Sequence, residues 1–180
     1  EARVAAALSG AIAKADAAFV RHHTGFAIGG VAPMGHRTPP VTFLDKSLFD
    51  WGQIWVAAGT YYPTKDTSGN ASPGDARTKT FFINKNIKIY GGFAGTETML
   101  SERNWTTNVT ILSGDIGIPG DNSDNCFHVV YMKYLPSTAI LDGFTITAGN
   151  ANGYNYPHNF GGGIFNNGYG SGNSSNPTIV

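Results

Sequence analysis

The stretch Gly52-Gln53-Ile54-Trp55-Val56-Ala57-Ala58-Gly59-Thr60 is a short apolar run with β-branched and aromatic residues, closed by Gly-Thr. That pattern predicts a buried strand. The sequence changes texture across it. All 15 asparagines lie at position 70 or later, 11 of the 19 alanines lie in the first 51 residues, and 19 of the 24 glycines follow them. Alanine favours helix, whereas Gly and Asn favour turns and left-handed backbone. Two origins joined at a shared strand account for this break directly. The expected segments are therefore 1–52 and 53–180.

At 180 residues the chain can bury a sizeable core. Lys+Arg and Asp+Glu number 12 each, so there is no basic footprint for nucleic acid and no acidic tail. The single cysteine, Cys126, excludes an internal disulfide framework and reads as a core residue. No apolar run is long enough to span a bilayer. The first residues lack the basic start and apolar stretch of a secretion signal.

Downstream of the pivot, short β-rich runs are separated by Gly/Asn/Asp/Pro clusters. The runs are 54–61, 81–93, 110–112, 126–132, 139–147 and 163–165. "NIKIYGGFAGT" (86–96) and "AILDGFTITAGN" (139–150) read as imperfect copies: an aliphatic strand, Gly-Phe, then a small-residue turn. Copies at roughly 20–30 residue spacing imply stacked coils, in which no unit buries its apolar face alone. Alternation places Ile87, Ile89, Ile140, Phe144 and Ile146 inward, with Lys88 and Thr145 outward.

The order IWVAAGTYYPT, FFINKNIKIYGGFAGTET, ERNWTTNVTILSGDI, DNCFHVVY, ILDGFTITAGNA, GGGIFNN resembles the N-terminal coils of pectin-lyase-like bacterial surface proteins. The resemblance implies a mainly β fold, right-handed parallel β-helix coils preceded by a partial α+β segment. It also implies an extracellular or outer-membrane location and a carbohydrate or cell-surface ligand. The final residues read as the middle of a coil, so further coils are expected.

Upstream, Glu1–Leu8 is helix-forming sequence, and a second helix is expected from Asp16 as N-cap to a stop at Gly25. "TGFAIGGVAPMGH" (24–36) then leads to an apolar strand, Val41–Leu44, ending in Asp45. The glycines either relieve a strained loop or let main-chain N–H groups approach a small substrate. With "PVTFLDKSLFDWGQIWVAAGT", this region resembles the prolyl-tRNA editing (YbaK-type) aminoacyl-tRNA deacylases over about residues 1–60. The resemblance implies that Gly29, Gly30 and Pro33 line an aminoacyl pocket with Asp45 at its edge. It implies tRNA as partner, ester hydrolysis as reaction and a cytoplasmic location. The lysine strand of that family has no counterpart here, so editing activity is expected to be absent. Phe43 and Leu44 are expected to cover Ile54 and Val56 as a partial cap.

Chemistry-bearing residues downstream are few. Asp115, Asp121, Asp124 and Asn125 lie around "GDIGIPGDNSDN", where hard oxygens on a Gly-rich turn suit Ca²⁺, the only cofactor considered. Asx-rich turns between strands are equally ordinary. A polysaccharide lyase would want a basic residue beside acidic ligands, and Arg103 and Lys133 are the nearby candidates. Tyr154 and Tyr156, in "NGYNYPHNF", suit stacking on sugar faces or packing between coils. Three readings follow: a non-enzymatic carbohydrate-contacting or adhesive β-helix module, an aminoacyl-tRNA editing hydrolase, or a carbohydrate-active β-helix enzyme. The two incomplete motif sets favour the first.

Overall fold

A computed structural model describes residues 15–24, 51–170 and 173–180. The chain divides into two compact units, Glu1–Asp50 and Trp51–Val180. In the first, helix α1 spans Ala17–Thr24. Asp16 is its N-cap: the Phe19 N–H donates to Asp16 Oδ1 at 2.7 Å. Arg21, His22 and His23 fill the last turn, where positive charge complements the helix dipole. The expected helix at Glu1–Leu8, the stop at Gly25, the strand at Val41–Leu44 and the capping residues Phe43 and Leu44 lie outside the described residues.

The second unit is mainly β, with ten short strands in three parallel sheets. They are β1 (Gln53–Ala57), β2 (Gly59–Tyr61), β3 (Phe81–Ile83), β4 (Lys88–Phe93), β5 (Thr110–Ser113), β6 (Val130–Lys133), β7 (Ile140–Asp142), β8 (Phe144–Thr147), β9 (Ile164–Asn167) and β10 (Thr178–Ile179). The first sheet runs β1-β4-β7-β10, the second β2-β5-β8 and the third β3-β6-β9. Each strand therefore pairs in parallel with the strand three places further along the chain. Several sequence runs turn a corner partway. The run 54–61 bends at Ala58 and 139–147 at Gly143, so each supplies strands to two sheets.

Register decides what is buried. In the first sheet Ile54, Ile89, Leu141 and Ile179 fall in one column. Ile89 packs on the core and Leu141 belongs to it, together with Leu112, Val129, Val130 and Met132. Lys88 and Thr145 are exposed, whereas Phe144 and Ile146 pack against the core.

Three sequence expectations are corrected. Ile140 pairs with Lys88 in the outward column, and Leu141 is the inward residue. The Gly-Phe copies do not superpose: Tyr90 pairs with Asp142, so Gly143 stacks on Gly91, while Phe144 pairs with Thr110 in the second sheet. Gly143 has φ +80°, and an added Cβ would lie 2.9 Å from the Gly91 carbonyl oxygen. A side chain would be strained and crowded there. Finally, Ile54, Ile89, Leu141 and Ile179 lie 35, 52 and 38 residues apart, wider than expected, because loops 94–109 and 114–129 are inserted between strands.

Loop 94–109 is tied to itself by carboxylates. Glu97 accepts the N–H groups of Ala94, Gly95 and Thr96, and Glu102 accepts those of Thr98 and Met99. These donors hold both carboxyls below their ordinary range, Ala94 contributing most for Glu97 and Met99 most for Glu102. No helix among the described residues is long and apolar enough to cross a membrane.

Candidate functional site

The third sheet carries an aromatic face. Phe81, Val130 and Ile164 form one column and turn into the core. Alternation therefore turns the next column, Phe82, Tyr131 and Phe165, to the opposite face. Phe82 meets Tyr131 edge-on with ring centres 5.6 Å apart, and Tyr131 meets Phe165 edge-on at 5.0 Å. Such geometry is favoured because the ring edge is positive and the face negative.

The connection after β8 folds over this face. His158 stacks on Phe127 at 4.3 Å and lies 5.7 Å from His128, which in turn stacks on Phe165 at 4.9 Å. Tyr156 meets Phe165 at 5.7 Å and lies 6.2 Å from both Phe160 and Tyr169. Tyr156, Phe160 and Tyr169 remain more than half exposed, and Tyr154 is fully exposed. The patch thus has a packed base of Phe82, Tyr131 and Phe165 and a solvent-facing rim.

Polar groups border the rim. Asn167 Nδ2 donates to Tyr131 Oη at 2.9 Å, and Asn167 Oδ1 accepts the Tyr169 N–H at 2.8 Å. Tyr134 donates its hydroxyl to the Tyr169 carbonyl at 3.0 Å, with the Lys133 ammonium 4.9 Å from the Tyr134 ring centre. Arg77 anchors the connection from beneath: it lies over Phe127, and its Nη2 donates to Asn150 O and Asn152 Oδ1.

Burial shapes the titrating groups. His128 is 4% exposed; its Nδ1 lies 3.1 Å from the Gly161 carbonyl, and its Nε2 is buried without a hydrogen-bond partner. Desolvation pushes His128 and His158 below the ordinary imidazole value and raises the Tyr156 phenol. Both imidazoles are therefore neutral near pH 7. Burial pushes the Cys126 thiol up to about 12, which leaves it inert as a nucleophile.

The remaining candidates fall in different places. Arg103 reaches back from loop 94–109 over the outer side of the first sheet. Its Nη2 pairs with Asp142 Oδ2 at 2.5 Å, and its guanidinium lies 5.1 and 5.0 Å from the Tyr90 and Trp105 ring centres. It lines a cleft of about 340 Å³ with Trp105, Asp142, Phe144 and Thr145. Lys133 is on the third sheet, so the two basic candidates do not share a site.

Asp115, Asp121, Asp124 and Asn125 share the loop after β5. Asp121 Oδ1 accepts the Ser123 N–H at 2.8 Å, and Ser123 donors lower its pKa. Asp115, Asp124 and Asn125 each keep one buried oxygen without a partner. Gly29, Gly30, Pro33 and Asp45 lie outside the described residues.

Sequence reading found Tyr154 and Tyr156 but missed Phe82, Tyr131, Phe165, His128 and Tyr169. A signal was present: "FFI", "VYM" and "IFN" each carry an aromatic residue at the centre of a strand triplet. No family model, curated protein or solved structure matches this chain.

Proposed function

We propose that residues 51–180 are coils of a right-handed parallel β-helix, acting as a non-enzymatic surface or secreted module that contacts carbohydrate through its aromatic face. The observation that carries this reading is the exposed rim of Tyr156, Phe160 and Tyr169 above Phe82, Tyr131 and Phe165. Sugar rings present C–H faces that pack on aromatic rings, and the hydroxyls of Tyr131 and Tyr134 and the amide of Asn167 offer polar contacts beside them. The recurrence of strands three apart in three parallel sheets supports the coil assignment. A lyase reading would need a free basic side chain next to carboxylates, whereas Arg103 is taken up by Asp142.

The test is binding of the full chain to an array of neutral and uronate-containing oligosaccharides, followed by calorimetry on the best binder. Tyr156→Ala and Tyr169→Ala should each weaken binding roughly tenfold, the loss of about one stacking contact. Tyr62→Ala removes another exposed ring away from this face and should leave binding unchanged. A chain that binds no sugar, or one equally sensitive to Tyr62→Ala, contradicts the proposal.

A further inference from the structure

The loop between β5 and β6 holds three buried side-chain oxygens with no hydrogen-bond partner: Asp115 Oδ1, Asp124 Oδ1 and Asn125 Oδ1. Asn125 is 2% exposed, and its Nδ2 donates to Asn122 Oδ1 at 3.2 Å, turning the amide toward the loop. The second oxygen of each carboxylate is occupied. Asp115 Oδ2 accepts the Gly120 N–H at 3.0 Å, and Asp124 Oδ2 accepts the Ile118 N–H at 2.7 Å.

Both carboxylates are thereby drawn to one tripeptide, Ile118–Gly120. The Cys126 N–H, donating to Gly114 O at 2.9 Å, closes the base of the loop. Gly117 leaves room for this arrangement, since a Cβ there would collide with the Asp124 carboxylate.

An ionised carboxylate oxygen can only accept, and burying it without a donor forfeits its hydration. Among the described residues neither carboxylate has an ion-pair partner. Three such oxygens in one closed loop call for a shared positive partner. No group of three His, Cys, Asp or Glu side chains among the described residues could hold a metal ion. A cation here therefore depends on the amide oxygen as well as the two carboxylates.

We propose that Asp115, Asp124 and Asn125 form a calcium site. Two carboxylates balance the ion's charge, the amide supplies a third hard oxygen, and main-chain carbonyls or water complete the shell. Calcium suits an all-oxygen set on an irregular loop better than magnesium, which demands a near-ideal octahedron. Lys79 shares a cavity with Asp115, and its charge argues for the weak end of calcium affinities. Asp121 is not a ligand, because its Oδ1 is already taken by Ser123. This inference is independent of carbohydrate binding.

The experiment uses the full chain stripped of metal with a chelator, titrated with CaCl2 by calorimetry and followed by thermal unfolding. Saturable binding with Kd on the order of 0.1–1 mM is expected. Saturating calcium should raise Tm by on the order of 5 °C. Asp124→Asn keeps an acceptor for the Ile118 N–H but removes the charge, and should weaken binding at least tenfold; Asp121→Asn should leave it unchanged. If Asp124→Asn fails to fold, Asp115→Asn provides the same contrast. A wild-type chain with no binding heat and no Tm response overturns the proposal and assigns these oxygens to water. Equal weakening by Asp121→Asn and Asp124→Asn overturns it as well.

Discussion

Leu141→Ala tests the register on which the core depends. Leu141 is 3% exposed, stands in register with Ile89 and Ile179, and belongs to the buried cluster with Leu112 and Met132. Truncation removes three carbons, and at about 0.8 kcal/mol each the lost transfer term is about 2.4 kcal/mol. The surrounding side chains are pinned on hydrogen-bonded strands and collapse little into the space, so a cavity term adds to it. The expected total is about 3–4 kcal/mol, within the range for buried Leu→Ala. Ile140 lies one residue earlier, in the outward column with Lys88, and Ile140→Ala should cost about 1 kcal/mol. Urea unfolding followed by tryptophan fluorescence measures both, with an unchanged denaturant slope as the check on two-state behaviour. If Ile140→Ala costs as much as Leu141→Ala, the first sheet is out of register by one residue and the reasoning fails.

Arg103→Ala should destabilise the chain by about 3 kcal/mol, because it leaves a largely buried Asp142 carboxylate unpaired; urea unfolding reads the loss, and a cost below about 1 kcal/mol would make the pair incidental. His128 and His158 have folded pKa values below the roughly 6.5 of the unfolded chain. The unfolded state therefore binds more protons just below that pH, so their contribution is complete above it and is lost as pH falls toward the folded values. Tm measured from pH 7.5 to 5 should fall, with a shallower slope in His128→Gln; an identical slope in the variant would contradict this. Cys126, with its thiol pushed up to about 12 and fully buried, should resist an aromatic disulfide reagent at pH 8 until denaturant is added. Prompt modification of the native chain would be the contrary result.

What could be read from sequence was local. Asp16 before an alanine-rich stretch specified its own helix start, because an N-cap acts within four residues. The strands of the second unit were visible as apolar runs bounded by turn residues. Their register was not. The parity of "AILDGFTIT" resets at Gly143, whose left-handed backbone turns the corner, so counting alternate residues from Phe144 back through it lands on Ile140 instead of Leu141. Partners 35 to 52 residues apart leave no periodic mark once loops of unequal length intervene.

The same limit applied to the sites. Tyr154 and Tyr156 stood out as an aromatic insertion, but the rings beneath come from three separate strands and converge only through pairing. "GDIGIPGDNSDN" presented Asp115, Asp121 and Asp124 as equivalent. Only folding distinguishes Asp121, whose oxygen is spent on Ser123, from the two carboxylates that keep a buried oxygen free.

The most direct measurement is the pattern of interstrand nuclear Overhauser effects in solution. Parallel pairing of β1 with β4 and of β4 with β7 predicts backbone contacts linking Ile89 to both Ile54 and Leu141, and linking Tyr131 to both Phe82 and Phe165. Without the second set there is no aromatic face on which the carbohydrate proposal can stand. Contacts joining β1 directly to β2, or an antiparallel pattern between any neighbouring pair, would contradict the account.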